Sequence, residues 1–331
     1  MSLQLTRTAE NVAEIDALAD ALSSHDGGRV GVAPLLADLP QRLRRSHAPG
    51  RAVSRALAWE RADDRDPTWF PQGVTNSHRT EVTREILLVS WYSTARQGSR
   101  ISVLDLATRR YRHVLLVTPT ASGGLEPVLA HAGGIVWQGP YLHVAATAKG
   151  VLTFRLDDLL LDPREKHGYR YLLPVRYAYR AEAVEATERR LRYSFLSLDR
   201  SGSPPALLVG EYGSVKQTQR LARFGLDALT GLLTAGADGI TRPLRIDESG
   251  QARMQGAAVV DGRYFVTVSQ GPWRLGSVMT GLPGSFRRHR WATPMGPEDL
   301  SYHPPTDVLW SVSEHPGRRW VFAMDRSYFS V

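Results

Sequence analysis

The stretch GPEDLSYHPPTDVLWSVSEHPGRRWVFAMD, residues 296–325, holds three short apolar runs separated by proline, glycine and charged residues. Each run has the length and the β-branched or aromatic content of a strand, and the separating residues favour turns. The pattern therefore predicts three consecutive antiparallel strands. An acidic pair, Glu298-Asp299, stands where the first of these strands begins.

The same order of a polar start, a second strand and a third strand occurs four more times along the chain. A repeat of this size with three or four strands per unit is typical of β-propeller blades. The starting positions Gln72, His131, Ser194, Gln255 and Glu298 are separated by 59, 63, 61 and 43 residues. The four further copies run from Phe70 to Leu106, His131 to Asp157, Tyr193 to Asp227 and Met254 to Leu282.

Apolar runs after the third strands predict an outer fourth strand in several units, at residues 111–117 and 169–180 for example. The last unit has only six residues after Asp325, so its outer strand is expected from residues 52–60. A sheet shared by both ends of the chain would close the ring and leave no open edge. We therefore predict an all-β, five-bladed β-propeller over residues 51–331, with a pair of open β-sandwiches as the alternative.

Residues 1–50 are expected to form a short helical and irregular extension. Apolar residues at helical spacing predict an amphipathic helix over residues 8–23. Thr8 is the expected N-cap, and Gly27-Gly28 is expected to end the helix. The apolar positions are Val12, Ile15, Leu18 and Leu22.

The composition, with 42% hydrophobic and 22% charged residues, is that of an ordinary globular protein. No run of about 18 apolar residues is present, so no membrane partner is expected. The N-terminus does not have the basic and apolar regions of a secretory signal, which favours a cytoplasmic location. Because the chain contains no cysteine, disulfides, thiol catalysis and cysteine-ligated zinc are excluded.

The formal net charge of +8 raises the question of nucleic-acid binding. Only three residues are lysines, and the arginines are spread along the chain. A nucleic-acid site would show a basic stripe interleaved with aromatic residues. We therefore expect no nucleic-acid partner.

Eight motifs occur at or near the starts and ends of the predicted strands. They are PQGVT at 71–75, HAGGI at 131–135, GYRYLLP at 168–174, SFLSLDR at 194–200, VGEYG at 209–213, MQGA at 254–257, GPEDLSY at 296–302 and EHPGRRWVFA at 314–323. With these motifs, over roughly residues 66–325, the chain resembles a family of mostly secreted, propeller-like proteins of streptomycetes and related actinobacteria. The resemblance implies the fold but no single activity. Since an export signal is not evident, it suggests an intracellular task such as specialised metabolism.

In a propeller, the starts of the innermost strands face the funnel in which ligands bind. This placement makes Glu298 and His131 the candidate catalytic residues, for proton transfer or hydrogen bonding. The candidate substrate-binding residues are the polar Gln72, Gln255 and Asp299 and the aromatic Trp69, Trp91, Tyr92, Tyr212 and Trp273 near the rim.

Several other chemistries lack their sequence signals. The chain has no G-x-S-x-G nucleophile elbow, no phosphate-binding loop and no dinucleotide fingerprint, so no cofactor is expected. A glycosidase needs two facing carboxylates, and the strand starts supply acids from one unit only, although Glu211 and Glu314 end second strands. No spacing motif groups Glu298, Asp299, His131, Glu211 and His315 as metal ligands, and the same residues could simply bind backbone groups.

A funnel of amides, rings and one or two acids suits the positioning of a small apolar molecule that carries oxygen atoms. The leading hypothesis is a cytoplasmic cyclase or isomerase without a redox cofactor, which could include a cycloaddition. Two alternatives stay open: a non-catalytic propeller that binds a protein or a glycan, and a lyase or lactonase that uses a metal in the funnel. The sequence leaves the substrate and the oligomeric state undetermined.

Overall fold

The computed structural model of the chain describes residues 3–183 and 189–330 and is all-β, with short helices near the N-terminus. Residues 1, 2, 184–188 and 331, which the predicted domain ranges include, lie outside the described residues. No helix of the described residues is long and apolar enough to cross a membrane.

The first 65 residues alternate short strands with short helices. One helix packs its apolar side on the rest of the molecule, and its side chains Ile15, Leu18 and Leu22 are buried. The elements are β1 (Leu3–Arg7), α1 (Val12–Ser23), β2 (Gly28–Arg29), α2 (Val32–Ala37), β3 (Gln41–Arg42), β4 (Arg44–Ser46), β5 (Val53–Ala58) and α3 (Arg61–Arg65).

The start of α1 differs from the expectation. The helix begins at Val12, its N-cap is Asn11, and Val12 itself is 39% exposed. Thr8 is not a cap, because its backbone N–H donates to the carbonyl of Ala178 and its Oγ1 accepts the N–H of Ala178. Pairing with that neighbouring strand keeps residue 8 extended and delays the helix by one turn.

Five antiparallel units follow, and each contains four consecutive paired strands. The first unit pairs β6 (Trp69–Asn76), β7 (Ile86–Ser93), β8 (Ser99–Asp105) and β9 (Arg110–Pro119), with β10 (Leu125–Pro127) added to β9. The second pairs β11 (Ile135–Gln138), β12 (Tyr141–Ala146) and β13 (Gly150–Arg155) with β15 (Tyr171–Ala183), after the short β14 (Leu160–Leu161).

The remaining three units continue in the same antiparallel order. The third pairs β16 (Phe195–Asp199), β17 (Ala206–Gly210) and β18 (Leu221–Gly225) with β20 (Arg245–Asp247), after the short β19 (Ile240–Thr241). The fourth pairs β21 (Met254–Val260), β22 (Arg263–Val268), β23 (Gly276–Leu282) and β24 (Ser285–Thr293). The fifth pairs β25 (Pro297–His303), β26 (Val308–Ser313) and β27 (Trp320–Asp325) with β5. Three short 3-10 helices lie at Leu156–Asp158, Pro304–Thr306 and Arg326–Phe329.

The first strands of the five units form a ring. β6 packs against β11, β11 against β16, β16 against β21, β21 against β25, and β25 against β6. Apolar side chains fill the spaces between neighbouring units, as in the cluster of Phe322, Leu309 and Phe265 between the fourth and fifth units. The five first strands therefore surround one axis.

The last unit takes its outer strand from the N-terminal side of the chain, as the sequence predicts. β5 pairs antiparallel with β27, with Leu57 opposite Val321 and Ala56 opposite Phe322. β4 adds to the outside of β5. The two ends of the chain are thus hydrogen-bonded in one sheet.

The N-terminal extension is also paired with the units. β1 lies between β15 and β19, and β3 pairs with β9. The outer strands β9 and β15 pair in parallel, with Leu115 opposite Leu172, so the first two units form one continuous sheet. Residues 3–46 therefore reinforce the outer strands.

Replacement of Leu57 tests the closure of the ring by β5. Leu57 is 1% exposed and packs in a cluster with Trp59 and Val321. Leu57→Ala is expected to lower the free energy of unfolding by about 2–5 kcal/mol, measured by urea unfolding. Leu229→Ala, at a side chain that is 96% exposed, is the control and should change it by less than about 0.5 kcal/mol. Equal stability of the two variants would contradict the docking of β5.

Candidate functional site

The end of the ring at which every first strand begins is called the upper end below. Three of the five first strands are irregular there: the register shifts between Pro71 and Val74 in β6, between Met254 and Gly256 in β21, and after Pro297 in β25. A bulge re-aims the side chains next to it, and bulges are common beside functional sites. Glu298 and Asp299 lie inside the irregular part of β25.

Glycines allow the first strands to approach one another closely at this end. A Cβ on Gly134 would overlap with the backbone of Phe195 and Leu196, and a Cβ on Gly256 would overlap with the backbone of Asp299. Backbone contact of this kind excludes any side chain at these positions. The glycines of HAGGI and MQGA therefore set the distance between units.

A cavity of about 390 Å³ opens at the upper end. It receives one residue from the start of the first strand of each unit, and further residues from the ends of second strands. Five of the predicted site residues line it: Gln72, His131, Tyr212, Gln255 and Glu298. The other lining residues are Thr147, Ser194 and Glu314.

Glu298 and Glu314 form a pair of neighbouring carboxyl groups that line the cavity. Gln255 Nε2 donates to Glu298 Oε1 at 2.9 Å, and Gln72 Nε2 donates to Glu314 Oε2 at 3.4 Å. Each carboxyl thus has an amide on one side and the other carboxyl beside it.

Burial raises the pKa of Glu298 well above its ordinary range, and the neighbouring charges of Glu314 and Asp299 raise it further. Burial also raises the pKa of Glu314, although the Gln72 amide and the Arg319 guanidinium act in the opposite direction. Two close carboxyl groups cannot both ionise readily. The protonated form of Glu298 is therefore favoured up to a higher pH than that of an exposed glutamate.

His131 lies across the cavity against Tyr92, with ring centroids 4.2 Å apart. Desolvation by the surrounding protein lowers the pKa of His131, so the imidazole is neutral near pH 7. Tyr92 supports the ring from behind and does not line the cavity. Its own pKa is raised by burial and by the charges of Glu314 and Glu298.

Asp299 has a structural position that the sequence does not indicate. It does not line the cavity, is fully buried, and its Oδ2 accepts the N–H of Val74 at 3.2 Å and of Ile135 at 3.4 Å. One carboxyl of the fifth unit therefore binds the first strands of the first and second units. Burial raises the pKa of Asp299 well above its ordinary range, although the backbone N–H groups act against this.

Two of the predicted rim tryptophans are core residues. Trp91 is fully buried, and its Nε1 donates to Ser102 Oγ at 2.8 Å. Trp69 is 5% exposed and lies under the Arg100 guanidinium, 4.4 Å from its ring centroid. The prediction that Trp69 and Trp91 line the funnel is wrong, because both side chains point into the packed layer between units.

Trp273 also lies outside the cavity. It is 81% exposed in the loop after β22, with the Arg318 guanidinium 4.6 Å from its ring centroid. Tyr212, in contrast, does line the cavity and is 47% exposed at its mouth. Of the five predicted aromatic residues, the structure thus brings Tyr212 to the cavity and Tyr92 behind it.

The hydrogen bond from Trp91 is the first of a series of buried hydrogen bonds. The other residues in this series are of the types found in a catalytic triad. Ser102 Oγ lies 2.8 Å from His113 Nδ1, and His113 Nε2 lies 2.9 Å from Asp63 Oδ1. Ser102 is fully buried and already accepts the indole N–H, so it is not available as a nucleophile. This series of hydrogen bonds joins α3 to the first unit.

Trp69, Arg100 and His113 line a second cavity of about 600 Å³ beside the first unit. Its three arginines each lie beside a carboxylate: Arg100 beside Asp63, and Arg112 and Arg170 beside Asp38. The arginines of the second cavity are therefore already used within the fold.

Glu211, the other acid at the end of a second strand, is also used within the fold. It is fully buried, accepts Nε and Nη2 of Arg220 at 3.1 and 3.0 Å, and accepts the N–H of Arg192. Burial alone would raise the pKa of Glu211, but the Arg220 hydrogen bonds and charge lower it. Within residues 3–183 and 189–330, no group of three or more His, Asp or Glu residues is arranged to hold a metal ion.

No protein-family model and no curated protein match the sequence. The fold is similar to solved structures at low identity. A gluconolactonase of Xanthomonas campestris is 14% identical with a TM-score of 0.39, over 87% of this chain and 86% of that one. A glutaminyl cyclase of Myxococcus xanthus is 11% identical with a TM-score of 0.41, over 86% and 97%. The WD40 β-propeller domain of Doa1 is 9% identical with a TM-score of 0.36, over 83% and 97%. A likeness at this level does not identify an activity.

The protonation of Glu298 predicts a pH-dependent stability difference. Because the folded-state pKa of Glu298 is raised, the native protein keeps a proton that the unfolded chain releases above the ordinary glutamate pKa. The contribution of Glu298 to the free energy of unfolding therefore falls as the pH rises, until the raised pKa is passed. Glutamine can accept from Gln255 and donate to Glu314 in the same way, so Glu298→Gln removes only the titration.

We expect the two proteins to be equally stable near pH 4 and the variant to be more stable at pH 8, by about 1.4 kcal/mol for each unit of raised pKa. Urea unfolding at pH 4, 6 and 8 measures this difference, with Glu126→Gln, at an exposed carboxylate, as the control. A difference that does not change with pH would show that Glu298 titrates normally.

Proposed function

We propose that the five units are the blades of a five-bladed β-propeller, and that the upper cavity is the active site of a cofactor-independent acid–base enzyme. The reaction class is cyclisation or isomerisation of a small, oxygen-bearing molecule. The observation that supports this most directly is the Glu298–Glu314 pair, which lines the cavity and is held by two amides.

A carboxyl pair with one proton can donate and accept in the same turnover. Glu298 donates its proton to one atom of the substrate, Glu314 removes a proton from another, and transfer between the two carboxyls restores the starting state. Such a cycle leaves no net change in protons or electrons, as isomerisation and cyclisation require. A raised pKa brings the acid closer to neutral pH, where general acid catalysis is most effective.

His131 complements the pair across the cavity. As a neutral imidazole, it can donate one hydrogen bond and accept another. No hydrogen bond from its ring to the described residues is present, and the side chain is accessible from the cavity. His131 would therefore orient a carbonyl or hydroxyl of the substrate and stabilise charge that develops on its oxygen.

The biological setting is proposed from the sequence alone. The resemblance supports the specialised metabolism of an actinobacterium, and the composition of the N-terminal residues supports a cytoplasmic reaction. A cycloaddition of an apolar intermediate is the most specific form of the proposal, because such a reaction depends mainly on positioning within a cavity.

Deletion of the gene, followed by mass spectrometry of extracts, tests the proposed function. We expect loss of one compound and accumulation of another with the same mass, which the purified protein converts to the first. An accumulated compound of different mass would replace the proposal by a lyase or hydrolase reaction. An unchanged profile under conditions where the gene is expressed would contradict an enzymatic role.

The roles of the two carboxyls can be tested with that compound. Glu298→Gln and Glu314→Gln should each lower kcat by about 10²–10⁴-fold, because one member of the acid–base pair is lost. Glu126→Gln should stay within about twofold of the unaltered protein. Thermal unfolding of each variant checks that the fold is intact, and full activity of a folded Glu298→Gln variant would refute its role as the acid.

A further inference from the structure

The hydrogen-bonding capacity of the upper cavity is unbalanced. The Nε2 group of Gln255 donates to Glu298, and that of Gln72 donates to Glu314 and to the carbonyl of Pro71. These bonds fix the orientation of both amides, since only the nitrogen end can donate to a carboxyl or carbonyl oxygen. The oxygen ends remain free to accept.

Gln72 Oε1 shows this most clearly. The residue lines the cavity, and its amide nitrogen is used by Glu314 and Pro71. Among the described residues, no donor to its Oε1 is present. The cavity thus offers this oxygen as an acceptor to a donor group of a ligand.

The charge of the cavity points to the same kind of ligand. None of its eight lining residues is a lysine or an arginine, although the chain contains 41 of these. The carboxyl pair carries one negative charge while it holds its single proton. A cationic donor would satisfy the free acceptors and this charge together.

Other ionisable groups surround the pair. Arg319 lies behind Glu314 with its Nε on the Glu314 carbonyl at 2.7 Å, and His315 Nδ1 lies 3.8 Å from Glu314 Oε1. Asp299 adjoins Glu298 in the chain, His131 lines the same cavity, and Tyr92 lies behind His131. Among these five groups, Arg319 is the permanent cation, and it does not line the cavity.

From this geometry we infer that the substrate carries a primary amine, which binds as an ammonium group between the Glu298–Glu314 pair and the oxygens of Gln72 and Gln255. The inference rests on the proposed function, because it names the substrate class of the same site. An ammonium group has three N–H donors and no acceptor, which matches the free acceptors of the cavity.

Titration calorimetry with benzylamine and benzyl alcohol tests the inference, because the two probes share a shape and differ in charge. At pH 8 benzylamine should bind at least tenfold more tightly than benzyl alcohol. Its affinity should fall about tenfold when the pH is lowered to 4, because burial raises the pKa of Glu314 above the ordinary glutamate value and the carboxyl is protonated there, while the affinity of benzyl alcohol stays constant. Equal affinities of the two probes at pH 8 would overturn the inference.

Three variants locate the binding. Glu314→Gln removes the negative charge and Gln72→Leu removes an acceptor, so each should weaken benzylamine binding at least tenfold. The exposed Glu126→Gln should not change it. Undiminished binding by a folded Glu314→Gln variant would also overturn the inference.

The amine inference and the proposed enzyme can fail separately. Conversion of an amine-free compound by the purified protein, together with no benzylamine binding, would refute the inference and leave the enzyme. Benzylamine binding with the expected pH dependence, together with an unchanged metabolite profile after gene deletion, would support the inference and refute the enzyme.

Discussion

The close approach of the five first strands around one axis is the constraint on which the rest of the structure depends. Gly134 and Gly256 leave no space for a side chain between neighbouring strands. At the same level, Asp299 of the fifth unit accepts backbone N–H groups from the first and second units. Three units are thereby fixed relative to one another by a single carboxyl. Since Glu298 precedes Asp299 inside a bulge, the position of the candidate acid is fixed by the same contact.

This arrangement places the carboxyl groups of Glu298, Asp299 and Glu314 close together, which is unfavourable for stability. A buried carboxyl group must either form an ion pair with a cation or remain protonated. Glu211 pairs with the cation Arg220, whereas Glu298 and Glu314 have amides as neighbours, and burial raises the pKa of both. The fold thus contains both solutions at second-strand ends, one in the third unit and one in the fifth. Only the one that leaves a transferable proton lies in the cavity, and buried groups of that kind are frequent at functional sites.

The sequence predicted the strand runs and the strand starts well, because alternation and turn residues are local signals. It placed residues 52–60 beside the last unit correctly, for the physical reason that an open edge is unfavourable. The side-chain directions were harder to predict. Trp91 and Tyr92 are neighbours on β7, so they point to opposite faces: Tyr92 supports His131, whereas Trp91 enters the core. The bulge in β25 likewise separates Glu298 from Asp299, and no local pattern reveals a bulge. The pairing of Glu314 with Glu298 depends on how a second-strand end meets a first-strand start, which is a tertiary relation.

The closure of the ring and the candidate chemistry are connected through α3. Directly after the closing strand β5, the carbonyl of Asp63 accepts Arg319 Nη1 at 2.6 Å, and the Asp64 carboxylate accepts the Arg319 backbone N–H at 3.1 Å. Arg319 in turn holds the carbonyl of Glu314 through its Nε. The loop that carries Glu314 is therefore anchored by a segment that takes its place only when β5 has paired with β27. Because Arg319 is fully buried, this anchor cannot be replaced by water. The position of Glu314, and with it the carboxyl pair, thus depends on contacts made by the segment that follows the closing strand.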